Sequence, residues 1–159
     1  MKRAVVPGSY DPVTLGHLAI IERAARLYDE VYVVAFINPD KKYAFSVDER
    51  VSMLMLATEH LPNVLVSYSS GLVIDYMREH SIDEIVKGYR NRADYEYELL
   101  QAEWNMKHGG YKTVLWQCEP EMADISSTLA REKIATGEKL SEILPEKVIE
   151  YLKKLDKAF

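Results

Sequence analysis

Five short apolar runs, each rich in β-branched or aromatic residues, alternate with segments of helical periodicity along the whole chain, and few folds accept that alternation. Residues 3–6 (Arg-Ala-Val-Val), 30–37, 64–68, 84–87 and 112–117 read as strands. Pro7-Gly8 is expected to stop the first and Asn38-Pro39-Asp40 to break the second. Between them Leu18, Ile21, Ala24, Ala25 and Leu27 space as one helical face, and Ser46 with Glu49 makes a capping box ahead of Val47, Val51, Leu54 and Met55. Further helices are predicted over 72–79, over 94–107, from Ser126 or Ser127 to residue 135, and over 146–157. Strands this apolar are covered on both faces, as in a parallel sheet whose crossovers are helices. The expected fold is α/β: a single doubly wound, Rossmann-like domain over residues 1–159, with a five-stranded parallel sheet and helices on both faces. Ligands of such sheets bind beyond the carboxyl ends of the strands, which singles out the loops 7–17, 38–45, 68–73, 87–93 and 118–128.

Composition narrows the ligand. With 48% hydrophobic and 28% charged residues the chain is too apolar to be disordered. Its 20 basic against 25 acidic residues, a net charge of -5, argue against a long nucleic acid partner but not against a small phosphate. No apolar run approaches the length of a membrane span, and Met1 leads into Lys2-Arg3 without a signal core, so a soluble cytoplasmic protein with no membrane partner is expected. Lone Cys118 excludes an internal disulfide, and no Cys/His cluster suggests zinc.

The first loop, Pro7-Gly8-Ser9-Tyr10-Asp11-Pro12-Val13-Thr14-Leu15-Gly16-His17, runs from a buried strand into a helix. Gly16 permits close approach of a ligand to the backbone, the helix start offers free N–H groups, and His17 can add a donor. The same residues read equally as turn glycines and a helix-capping histidine. Ile125-Ser126-Ser127-Thr128 repeats the design; one hydroxyl suffices for a cap, and three suggest a second anion-binding helix start. Lys41-Lys42 and Lys87-Gly88-Tyr89-Arg90-Asn91-Arg92 follow predicted strands, so these cations, ordinarily just solvated, are expected to converge on the same rim. Glu98, in the first turn of the next predicted helix, also suits the helix dipole alone.

Taken together, the first loop resembles the signature of the nucleotidylyltransferase superfamily, and Thr14 in place of a first histidine points to its phosphopantetheine adenylyltransferase branch. Three further blocks agree: Asn38-Pro39-x-Lys41-Lys42 with Phe45-Ser46-x-x-Glu49-Arg50; Gly88-x-Arg90-x-x-x-Asp94-Tyr95-Glu96-Tyr97-Glu98; and Ile125-Ser126-Ser127-Thr128. The resemblance implies that AMP passes from ATP to 4'-phosphopantetheine, giving dephospho-coenzyme A and pyrophosphate. It assigns Ser9 to both ligands and Tyr10, His17, Gly88, Tyr89, Arg90 and Glu98 to ATP, together with Met122, Ala123, Asp124, Ile125, Ser126, Ser127 and Thr128. Lys41, Val73 and Lys87 fall to the acceptor, Lys87 standing where the family usually has arginine and so lacking a bidentate fork. Met122-Ala123-Asp124 departs from the family's aromatic-containing stretch. The resemblance further implies a homohexamer.

Direct attack of the acceptor phosphate needs no base, because a phosphomonoester is largely dianionic at neutral pH. His17, Lys41 and Arg90 are therefore expected to act by positioning and charge stabilisation, with Mg²⁺ carried on the triphosphate for want of a carboxylate cage. Two alternatives stay open on the same fold: a nucleotidylyltransferase for nicotinamide mononucleotide or another small phosphate ester, and a non-catalytic nucleotide-binding module. His60, His80, His108 and Cys118 receive no chemical role.

Overall fold

The computed structural model describes residues 1–155. Five strands, β1 (Arg3–Gly8), β2 (Glu30–Phe36), β3 (Val64–Ser69), β4 (Glu84–Tyr89) and β5 (Lys112–Gln117), form one parallel sheet in the order β3-β2-β1-β4-β5. The helices are α1 (Leu15–Leu27), α2 (Val47–Thr58), α3 (Val73–His80), α4 (Arg92–Gly109), α5 (Ser127–Thr136) and α6 (Glu146–Lys154).

Side-chain alternation along the inner strands builds a core on each face. Ala4, Val6, Val31, Val33 and Ala35 meet Ile21, Ala24, Met53 and Leu54 on one side. Val5, Val34 and Ile85 meet Tyr76 and Met77 on the other. The strand order reverses between β1 and β4, and this reversal opens the site. β1 pairs with β2 over its whole length, but with β4 only at Ala4↔Glu84 and Val5↔Ile85. Beyond Val5 the two strands part. Pro7 has no N–H to offer, and its carbonyl accepts from the Nζ of Lys87 at 3.5 Å instead of from a neighbouring backbone. The strand is therefore not stopped at Pro7-Gly8 as expected, because pairing to Val34 and Ala35 carries it through.

The expected boundaries shift elsewhere for local reasons. α1 begins at Leu15 rather than Leu18, since Thr14 is its cap, which puts Gly16 and His17 inside the first turn. Ser46 and Glu49 form both bonds of the expected capping box. α4 begins at Arg92 because the Asn91 side chain accepts from Asp94 N, and it runs on until Gly110 turns left-handed at φ 73°. A short 3₁₀ turn, Pro120–Met122, occupies the expected loop. α6 stops at Lys154, where Leu155 is extended; residues 156 and 157 of the expected helix lie outside the described residues.

Candidate active site

The parting of β1 from β4 leaves a cavity of about 360 Å³ above their carboxyl ends. Its floor depends on Gly8: a Cβ there would stand 3.1 Å from the Tyr10 ring. Tyr10 itself holds a left-handed φ of 50° and is buried, its hydroxyl donating to the Val6 carbonyl at 2.8 Å. Of its side chain, what faces the site is the ring, edge-on to His17 at 5.0 Å.

His17 is the third residue of α1 and part of a reciprocal cap. Its backbone N–H donates to Thr14 Oγ1 at 3.3 Å, while the Thr14 backbone N–H donates to His17 Nδ1 at 3.0 Å. A nitrogen that accepts from an N–H carries no proton, so the neutral ring is protonated on Nε2. Burial, reinforced by the charges of Lys87 and Arg90, pushes the imidazole pKa down to about 4. Capping and lining the cavity, alternatives in the sequence, are thus both met by one residue, through different atoms.

The start of α5 faces the same cavity through Ser126, Ser127 and Thr128. Each of its three hydroxyls already has work: Ser126 caps Leu129 N at 3.0 Å, Ser127 donates to Pro12 O at 2.8 Å, and Thr128 accepts from Arg131 at 3.2 Å. Ser127 has therefore spent its O–H, whereas the Ser126 and Thr128 hydroxyls only accept, so the helix start offers an anion their O–H groups as well as backbone N–H. Arg131, which also donates to the Asp11 carbonyl at 2.8 Å, lines the cavity and was not singled out from the sequence. One turn beyond Thr128, it could have been found by helical spacing.

Beside this cavity lies a wider one of about 770 Å³, bounded by Val73, Tyr97, Glu98, Gln101 and Asn105. Pro7, Gly8, Ser9, Lys41 and Lys87 line both. Lys41 reaches Ser9 Oγ at 3.2 Å across the boundary. Lys87 lies 3.5 Å from Glu98, whose carboxyl is pushed up by burial, with the lysine opposing. Glu98 therefore lines the second cavity and not the one holding His17, whereas the family resemblance assigns it to the nucleotide.

Two buried groups hold these loops in register. The Asp11 carboxylate accepts from Ala44 N and Phe45 N, each at 2.9 Å, fastening the segment that carries Lys41 to the first loop. Arg50, 2% exposed, donates to the Ser9 carbonyl at 2.9 Å and stacks 3.9 Å from the Tyr43 ring. Local pattern predicts neither contact.

Of the expected residues, Ser9, Tyr10, His17, Lys41, Gly88, Tyr89, Arg90, Met122, Ile125, Ser126, Ser127 and Thr128 meet at the first cavity, and Val73 and Lys87 line the second. Ala123 and Asp124 are on neither wall. The expected convergence of cations is incomplete: Lys42 lines neither cavity, and Arg92 turns to solvent to pair with Glu96 at 3.1 Å, as an i,i+4 pair on a helix surface does. Cys118 lies on the wall of the first cavity.

Comparison with known proteins gives the family. Residues 5–133 match the cytidylyltransferase-like family. A phosphopantetheine adenylyltransferase of Corynebacterium diphtheriae is 47% identical over 146 residues, covering 91% of this chain and 92% of that protein. A chain that matches along nearly its whole length, and that opens its sheet where this family's signature loop falls, belongs to the cytidylyltransferase-like nucleotidyltransferases and, within them, to the phosphopantetheine adenylyltransferases.

Proposed function

We propose that this protein transfers the adenylyl group of ATP to 4'-phosphopantetheine, releasing pyrophosphate and forming dephospho-coenzyme A. The observation that carries the reading is the shared wall: two cavities meet at Pro7, Gly8, Ser9, Lys41 and Lys87, so two phosphate-bearing molecules can touch end to end there. The cavity with both helix starts takes the triphosphate, and the wider one takes the acceptor.

An oxygen of the acceptor's phosphate dianion attacks the α-phosphorus in line. The new P–O bond forms as the bond from the α-phosphorus to the bridging oxygen breaks, and the electron pair leaves with pyrophosphate. No proton has to move, which suits a site without an acid-base pair. Lys41 at the shared wall aligns the acceptor's phosphate; Arg90 and Arg131 in the first cavity neutralise the donor. His17 acts as a fixed neutral donor. Among the described residues no hydrogen bond occupies its Nε2, which is therefore available to an α-phosphate oxygen as charge builds there.

Both carboxylates on the first cavity's wall are committed, Asp11 to the Ala44 and Phe45 N–H groups and Asp94 to Arg90. Among the described residues no group of three His, Cys, Asp or Glu could hold a metal ion. In this reading Mg²⁺ is carried by the triphosphate, whose charge it shields, and the protein supplies no cage.

No helix among the described residues is long and apolar enough to cross a membrane, and the reading places the enzyme in the cytoplasm, with its substrates. It also makes the protein a homo-oligomer, a hexamer on its resemblance: the 18-residue α4 buries no residue of its own and exposes Tyr97, Leu100 and Trp104, a surface suited to another copy. Light scattering should give a six-chain mass, and a monomer would contradict this part.

The function is tested by incubating the protein with ATP, Mg²⁺ and each acceptor in turn and measuring pyrophosphate. Release with 4'-phosphopantetheine is expected. Release only with nicotinamide mononucleotide or another phosphate ester would reassign the acceptor; none with any would leave a nucleotide-binding module.

A further inference from the structure

We propose that Asp94 is a positioning residue for the nucleotide phosphates, acting through Arg90. The proposal rests on the adenylyl-transfer reading of the first cavity, whose wall includes both residues. Asp94 is itself held: its backbone N–H donates to the Asn91 side chain at 2.9 Å in the first turn of α4. One carboxylate oxygen, Oδ2, then accepts from two groups of Arg90, the Nε–H at 2.9 Å and the backbone N–H at 3.2 Å. This ties the guanidinium back to the helix start through its inner nitrogen. The two outer nitrogens keep their four N–H donors, and among the described residues no hydrogen bond or ion pair takes them. A planar fork restrained at Nε and open at both Nη atoms is prepared for phosphate oxygens, with the side-chain ordering already accomplished before binding.

An i,i+4 ion pair that merely caps a helix has the same distances, and the sign of one measurement separates the two. Asp94 is a negative charge on a wall that must receive a polyanion. Simple electrostatics therefore says that its removal tightens ATP binding, whereas loss of a positioning contact loosens it.

Calorimetric titration of Mg²⁺–ATP into the full-length protein, Asp94→Ala, Arg90→Ala and the double variant decides between them. Asp94→Ala is expected to weaken ATP binding about tenfold. In the Arg90→Ala background the same substitution should leave affinity unchanged or tighten it. Asp94→Asn, which keeps an acceptor oxygen, should stay within about twofold of the parent. The KM for 4'-phosphopantetheine should not change. Weakening of equal size in both backgrounds, or tightening by Asp94→Ala alone, overturns the assignment to Asp94 while leaving the nucleotide site intact. A parent protein that binds no ATP overturns the reading of the cavity and the assignment with it.

Discussion

The Thr14 backbone N–H meets Nδ1 of His17 at 3.0 Å, and the return bond, from His17 N to Thr14 Oγ1, closes at 3.3 Å. A device that begins a helix thus also chooses the tautomer of the residue proposed to face the α-phosphate. Nitrogen-15 spectra of the ring should show a protonated Nε2 and an accepting, unprotonated Nδ1 throughout pH 5 to 8. A proton on Nδ1 would contradict the assignment.

The pH dependence of turnover should not belong to this histidine. Its pKa is held down at about 4, by burial first and by Lys87 and Arg90 second, so the ring stays neutral where free imidazole would begin to charge. The acceptor's phosphate, with a second pKa of about 6, loses its dianion first. We expect kcat/KM for the acceptor to fall below about pH 6 with the same limb in His17→Gln as in the parent. Disappearance of the limb in the variant would return it to His17.

Stability carries the opposite signature. Between the free value of 6.5 and the folded value of about 4, the unfolded chain binds a proton that the folded one refuses. The contribution is fully present above pH 6.5 and is lost as pH falls through that window. Denaturant titrations from pH 7 to 4 should therefore show a shallower decline for His17→Gln. An identical decline would mean that the ring is not shielded.

Gly88 is fitted to Ile20. An added Cβ would stand 2.8 Å from Ile20 Cγ1 and 3.0 Å from Cδ1, on a side chain that lines the first cavity. Gly88→Ala should lower unfolding free energy by about 1–3 kcal/mol and weaken ATP binding with it. Urea denaturation and ATP titration check both.

Asp11 links stability to the acceptor. Asp11→Ala removes the acceptor of the part-buried Ala44 N–H and of the buried Phe45 N–H, at a cost of about 1–3 kcal/mol per lost bond. Because these bonds fasten the segment carrying Lys41, KM for 4'-phosphopantetheine should rise while the chemistry at His17 survives. A destabilised variant with unchanged KM would limit Asp11 to the fold.

What could be read from the sequence is what short-range pattern encodes. The five strands, the Ser46–Glu49 box and the α5 start at Ser126 are set by neighbours within a few residues, so periodicity and capping chemistry are enough, whereas the start of α1 falls at Leu15 rather than Leu18 because Thr14 is its cap. Helical spacing alone puts Arg131 one turn beyond Thr128, but its bond to the Asp11 carbonyl joins positions 120 apart in sequence, which no local pattern encodes. Arg92 misled for the complementary reason: it follows a strand as a rim cation should, but one turn of α4 offers it Glu96 and solvent. Pro7 looked like a strand stop because a proline withholds a donor, and only the tertiary pairing shows that the donor would have faced the gap where the sheet opens.

The account turns on a neutral, partly buried donor that matters in the transition state more than in the ground state. The direct measurement is single-turnover and steady-state kinetics of His17→Ala beside its ATP affinity. A loss of about 100- to 1,000-fold in kcat, corresponding to about 2.7–4 kcal/mol, is expected with only a small change in the dissociation constant for ATP. Turnover unchanged from the parent, or a loss carried entirely by ATP binding, would contradict it.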